Sequence, residues 1–391
     1  MRHPLRTMAL GFVLPLILVL LVSPPAQGKL AGKEVTIGLL TSLTGFAARY
    51  GQQDQPALQI ALEDINGSGG VGGVPLKMIV YDTGGKNEQS ISMVRRLAES
   101  DKVLAMIGPW LSGEANVAFP VANRLTVPII SSSSAAPGIS AKNRPWAFRT
   151  TMTAERGLEL AFTKFLLKYP AKTASIMYDN ADFVMKLEGT GLFPPLLAKK
   201  GLKLISSITF QTGEMEFGAQ VTKIKNDNPD VVMISGFYQQ TSNLVRTMRA
   251  QGMKQPVYVG IGSSNPAFTQ MAGAAGEGVM NTQDFWRGDP RPEVQSFVKR
   301  YEERSSGVPT PFPAASLYDT IMMLKQVIET AGVTNRPEDL QKDRERIRDG
   351  FANLKGFKGL AGEFSMDPNG DGIKQTYPMV VRNGTWALVD W

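Results

Sequence analysis

The side chains that most often do catalytic work are nearly missing from this sequence. Its single histidine is His3, and it has no cysteine. If the first 28 residues are an export signal, as argued below, the mature chain holds neither. That excludes His-based general acid–base catalysis, Ser-His-Asp and Cys-His nucleophiles, and nearly all zinc, copper and haem ligation. Carboxylate-only chemistry and Ser-Lys pairs stay open, but no pair of acids stands out. The expected role is therefore binding rather than catalysis, with no cofactor and no metal.

Three motif-like strings add nothing. Gly67-Ser68-Gly69-Gly70-Val71-Gly72 fits a dinucleotide loop by spacing, yet it follows a helical pattern and precedes a strand, the reverse of the required order. Asp367-Pro368-Asn369-Gly370-Asp371-Gly372 opens like a calcium loop, but Pro378 stands where the bidentate glutamate belongs, so a polar turn is expected. No G-K-[ST] phosphate loop is present. What remains are two short donor-rich segments, Trp110-Leu111-Ser112-Gly113 and Ser131-Ser132-Ser133-Ser134-Ala135. The first opens a helix, where backbone N–H groups and the Ser112 hydroxyl favour an anion. Both follow strands, where open α/β sheets bind ligands, although ordinary capping would use the same residues.

The elements behind these segments follow a regular rhythm. Residues 35–40, 76–81, 103–108 and 127–131 read as buried strands, separated by helical patterns over 52–66, 87–100 and up to about 125. The rhythm restarts after residue 151. Strands are expected over 174–178, 204–210, 231–236 and 257–261. Helices are expected over 217–226, 239–251, 297–305 and 317–331, with 183–200 helical but kinked by Pro194-Pro195. Asn383-Gly384 between two short strand patterns is a hairpin signal. This is an α/β chain with parallel sheets covered on both faces.

At 391 residues, two domains are expected. Arg2, His3 and Arg6 precede an apolar run over 8–22, a Ser23-Pro24-Pro25 break and a small-x-small site ending at Gly28, which reads as a cleaved signal peptide. With no lipid-attachment cysteine, the mature protein is expected free in a Gram-negative periplasm and monomeric. The net charge of +7, or +5 without Arg2 and Arg6, carries no basic stripe, so nucleic acid is not an expected partner. Lys199-Lys200 and the basic run 344–348 read as solvated surface charge.

Taken in order, Val35-Thr36-Ile37-Gly38-Leu39-Leu40-Thr41, ALQIALEDINGSGGVGG over 57–73, Ile79-Val80-Tyr81-Asp82, Met106-Ile107-Gly108, Val127-Pro128-Ile129-Ile130-Ser131 and Phe148-Arg149-Thr150-Thr151 resemble the leucine/isoleucine/valine-binding proteins, receptors of ABC importers. Residues 246–252 and Leu317-Tyr318-Asp319 extend the resemblance across nearly the whole mature chain. It implies two doubly wound α/β lobes joined by three crossings, a type I periplasmic-binding-protein fold. The N-lobe would be 29–152 with 284–361 and the C-lobe 153–283 with 362–391. The implied partners are a small-molecule ligand and the permease subunits of an ABC importer.

The same resemblance places the ligand's carboxylate at Trp110, Leu111 and Ser112 and at Ser133, Ser134 and Ala135. Tyr50 would cover the ligand, while Phe183 and Phe237, with Tyr238 beside it, would enclose its body. Gly262 stands at or near the position of an acid that holds the ammonium in amino-acid receptors of the family. No Asp or Glu occurs between Asp230 and Glu277. The expected ligand is thus a small carboxylate, an aromatic or branched organic acid lacking an α-amino group. Glu114, Asp179 and Asp182 are the acids that would restore a branched-chain amino acid or amide reading. A ligand-sensing receptor domain is the alternative of another class.

Overall fold

The computed structural model describes residues 29–391; the expected export signal, 1–28, lies outside the described residues. The strands are β1 (Val35–Thr41), β2 (Leu76–Asp82), β3 (Met106–Ile107), β4 (Ile129–Ser131), β5 (Ala147–Arg149), β6 (Thr173–Asp179), β7 (Lys203–Phe210), β8 (Val231–Ser235), β9 (Val257–Val259), β10 (Met280–Gln283), β11 (Phe357–Gly359), β12 (Gly362–Met366), β13 (Gly372–Ile373), β14 (Tyr377–Arg382) and β15 (Thr385–Leu388). Twelve of them form two large sheets, and β11, β12 and β13 form a small third one. The first is parallel, in the order β2-β1-β3-β4-β5. The second repeats that order as β7-β6-β8-β9-β10, then adds β14 and β15 antiparallel.

The apolar runs read from the sequence explain this arrangement. In β1 six of the seven residues are buried and in β8 all five are, because helices cover both faces of a parallel sheet. The late helix Phe312–Thr330 returns to the first half, where Tyr318 Oη donates at 2.9 Å to Asp64 Oδ2 on the helix Asp54–Gly67 that follows β1. Phe364 and Met366 of β12 bury in the same core as Val35 and Ile37 of β1. No helix among the described residues is long and apolar enough to cross a membrane.

Several local expectations change. The irregularity in 183–200 precedes the prolines: the helix widens into a π-type turn over Glu188–Leu192, between Phe183–Leu187 and Phe193–Lys199. Pro194 and Pro195 then fall in a first turn, where a missing N–H is harmless. Arg344 is not solvated surface charge. It is buried in the helix Leu340–Ala352, absent from the sequence reading, and donates to the carbonyls of Val103 and Ala98. The 367–372 turn is indeed a polar turn, with Asp367 Oδ1 accepting from the N–H groups of Asn369 and Asp371. Asp371 has a further partner, the fully buried Arg149. Asn383-Gly384 closes the β14–β15 hairpin as expected.

Candidate functional site

In each sheet the order reverses between the first and third strands, so the loops after them part and leave a crevice. The two crevices face each other. Between them lies a cavity of about 460 Å³ of empty space, mouth included. From the first sheet come Tyr50 (after β1), Trp110, Leu111 and Ser112 (after β3) and Ser133 and Ala135 (after β4). From the second come Val184 and Met185 (after β6), Phe237 (after β8) and Ile261, Gly262, Ser264 and Asn265 (after β9). Phe312 and Pro313, at the start of the late helix, complete the wall.

The two donor-rich segments are brought together, with a different division of labour. Gly108 has φ 98°, and a Cβ there would lie 2.1 Å from the Leu40 carbonyl oxygen. Only glycine fits this turn, which delivers Trp110 and Ser112 to the crevice. Ser112 opens the helix Ser112–Arg124, and its Oγ accepts from the N–H groups of Ala135 and Ala136 at 3.0 and 3.1 Å. Ser134 N donates to Ser131 Oγ at 2.9 Å. These loop N–H groups are therefore already spent on protein oxygens. The donors left for a ligand are the Ser112 hydroxyl proton and the N–H groups of the helix's first turn, which have no intrahelical acceptor. Trp110 Nε1, buried and without a partner, is another.

Eight of the eleven expected site residues line this cavity. Ser134 lies beneath the wall, its Oγ 2.8 Å from Ser131 Oγ and 3.2 Å from the Pro109 carbonyl oxygen. Tyr238 is behind it, edge-on to Tyr50 with ring centroids 5.1 Å apart. Phe183 is 42% exposed in a separate outer cleft beside Phe46 and Lys186. The reason is local. Asp182 caps the helix Phe183–Leu187 by accepting from Val184 and Met185 N–H, and that start turns those two side chains inward instead. Asn265 and Phe312 could have been found in the sequence: Asn265-Pro266 and Pro311-Phe312-Pro313 are helix-start signals.

The wall contains no Asp, Glu, Lys or Arg. Glu114 accepts from Ser90 Oγ at 2.8 Å and from Leu111 N at 3.3 Å. Asp179 accepts from Ala181 N and Thr212 Oγ1, and Asp182 serves its cap. None of the three lines the cavity. Gly262 is crowded as well as uncharged: a Cβ there would lie 2.5 Å from Met185 Cε and 2.6 Å from the Gly236 carbonyl oxygen.

One acid behind the wall escaped the sequence reading. Glu188 is buried, accepts from Ser235 Oγ, and accepts from Ile261 N at 3.0 Å, fixing the loop after β9. Burial pushes its carboxyl up to about 7, against the hydrogen bonds from Ser235 and Ile261. A raised acid favours the folded state below its ordinary range and loses that contribution as pH rises through 7. Between pH 5 and 8, wild type should lose roughly 2–3 kcal/mol of stability relative to Glu188→Gln. Urea unfolding of both proteins at the two pH values checks this; equal pH dependence would refute it.

The two halves touch directly across the cavity. Tyr50 Oη lies 3.2 Å from Gln239 Oε1 and 3.4 Å from the Gly262 carbonyl oxygen, and accepts from Tyr238 N at 3.3 Å. Its ring packs at a tilt 4.7 Å from Trp110 and 5.3 Å from Phe237, centroid to centroid, and Asn265 Nδ2 donates to Gln53 Oε1. These are contacts of a closed arrangement.

Comparison with known proteins gives this geometry a family. Residues 34–385 match the model of the periplasmic binding protein family. A Leu/Ile/Val-binding protein of Rhizobium johnstonii is 26% identical over 365 residues, covering 92% of this chain and 94% of the relative. The branched-chain amino acid transporter substrate-binding protein of Streptococcus pneumoniae, solved with isoleucine, superposes with a TM-score of 0.79 at 24% identity, over 90% of this chain and 98% of its own. A solute-binding protein of an ABC transporter from Rhodopseudomonas palustris BisB5, solved with 3,4-dihydroxybenzoic acid, gives 0.80 at 19% identity, over 91% and 95%. With its two α/β halves closed on a shared cavity, this chain belongs to the periplasmic binding protein family.

Proposed function

We propose that the protein is the extracytoplasmic receptor of an ABC importer and captures a small carboxylate with an apolar or aromatic body and no α-ammonium. One observation carries this reading: the cavity wall is uncharged, and its one buried side-chain polar atom without a protein partner, Trp110 Nε1, is a donor. A carboxylate accepts from such a donor, whereas an ammonium would be buried without a counter-charge. The dihydroxybenzoate bound to the Rhodopseudomonas palustris relative supports the same class of ligand. A thermal-shift panel of aromatic acids, branched oxo acids, amino acids and amides tests it; stabilisation by amino acids alone would sink it.

The N-terminal signal reading places the mature protein in a periplasm. Binding would proceed by closure about three crossings. Two lie near Met152 and Asp284. For the third we favour residues 374–376, because β12 packs with the first sheet's core. Asp284 Oδ2 draws the three together, accepting from Met152 N at 3.1 Å and pairing with Lys374 Nζ at 2.6 Å. Tyr50→Phe removes hydrogen bonds between the halves. It should weaken every ligand by a similar factor of about tenfold or less, with selectivity unchanged. Calorimetry with two acids of different size reads this, and a change in their ratio would count against the closure role.

A further inference from the structure

We propose that a second pocket between the two halves, back to back with the ligand cavity, binds a neutral planar ring bearing a carbonyl or hydroxyl oxygen. The pocket encloses about 540 Å³ of empty space, mouth included. One side is built from the second half: Pro266, which opens the helix Pro266–Ala272, with Met379 of β14 and Trp386 of β15. The other is Trp286 from the crossing after β10 and Thr310 from the loop before the late helix. Phe285 and the two tryptophans give it aromatic walls suited to a flat ring.

Two polar atoms here have no partner. Thr310 is 2% exposed with its Oγ1 unpaired, and Arg287 Nε is likewise buried and unpaired. They are close together, because Arg287 Nη2 and Thr310 N both donate to the same oxygen, Glu302 Oε1. Two buried donors without an acceptor are costly unless an occupant supplies one. Glu302 already balances the charge of Arg287 and would repel a carboxylate, so the acceptor is a neutral oxygen. This separates the pocket chemically from the cavity beside it.

The two sites share their partition. Asn265 lines the first and Pro266 the second, and the Asn265 carbonyl accepts from Trp386 Nε1 at 3.2 Å. Phe312 and Thr310 divide in the same way on the other half. The pocket therefore exists only while the halves are together, and an occupant touching both would favour closure.

The test uses 4-fluorobenzamide as the probe, followed by fluorine NMR titration of the whole mature protein. Thr385 lines the pocket from an exposed position, so Thr385→Trp fills it at little risk to folding. Wild type should bind the probe, and Thr385→Trp should abolish binding. Thr310→Val should weaken it about tenfold or less while leaving the melting temperature equal or higher, since an unpaired buried hydroxyl is removed. Ser112→Ala, a change in the first cavity, should leave probe affinity unaltered. Absence of binding to wild type, or binding retained in Thr385→Trp, overturns the proposal. Loss in Ser112→Ala alone would put the probe in the first cavity and also overturn it. None of these readings depends on which acid the first cavity takes.

Discussion

Replacing Arg149 with methionine should cost about 3–5 kcal/mol of stability, because it strands a buried carboxylate. Arg149 is fully buried at the end of β5. Its Nε and Nη2 donate to Asp371 Oδ1 at 2.9 and 2.7 Å, and its Nη1 donates to the carbonyls of Ser134 and Ala136. Burial lowers the arginine's affinity for its proton and the Asp371 charge works against that, so the pair persists because it is paired. The double variant Arg149→Met with Asp371→Leu should recover much of the loss, since an apolar replacement for a buried pair is often neutral. Urea unfolding of the wild type, both single variants and the double variant gives the cycle. If Arg149→Met alone is as stable as wild type, the pair does not hold this region. The same arginine holds the loop that carries Ala135, so ligand affinity should fall with it.

This pair shows where the sequence was legible and where it was not. The string Phe148-Arg149-Thr150-Thr151 was recognisable as a family signature, and 367–372 as a polar turn. That the turn exists to aim Asp371 at Arg149, 222 residues away in sequence, has no local signal. The same limit explains Arg344 and Glu188. Whether a charge is solvated or buried depends on what packs over it, and periodicity says nothing about that. Parallel strands were legible because burial on both faces writes a continuous apolar run. The site was legible at the level of loops, because strand ends place them. It failed at single residues where one turn of backbone decides the direction: Phe183 points out, while Val184 and Met185 point in. The reserve acids Glu114, Asp179 and Asp182 looked available in the sequence because their cap and loop partners are backbone N–H groups and hydroxyls, which composition does not reveal.

Those engaged acids set the last expectation, the choice between an acid and its amino counterpart. 2-Oxo-4-methylpentanoate should bind at least about a hundredfold more tightly than leucine, with aromatic acids such as benzoate in the same favoured class. The physical ground is the cost of burying an ammonium against an uncharged wall, which exceeds what neutral hydrogen bonds return. An acid cannot simply be restored at Gly262, because any side chain there meets Met185 and the Gly236 carbonyl. Ser112→Ala should weaken all carboxylates by about tenfold to a hundredfold, the range of one charge-assisted bond. Part of that loss is structural, because the same oxygen accepts from Ala135 and Ala136 N–H. The oxo acid to leucine ratio is therefore the cleaner measure, and competitive calorimetry on the wild type reads it directly. Should leucine bind and the oxo acid fail, a carboxylate must leave its present partners when ligand enters. Asp182 is then the first to examine: it caps the Phe183–Leu187 helix that carries the wall residues Val184 and Met185, and burial pushes its carboxyl up to about 6.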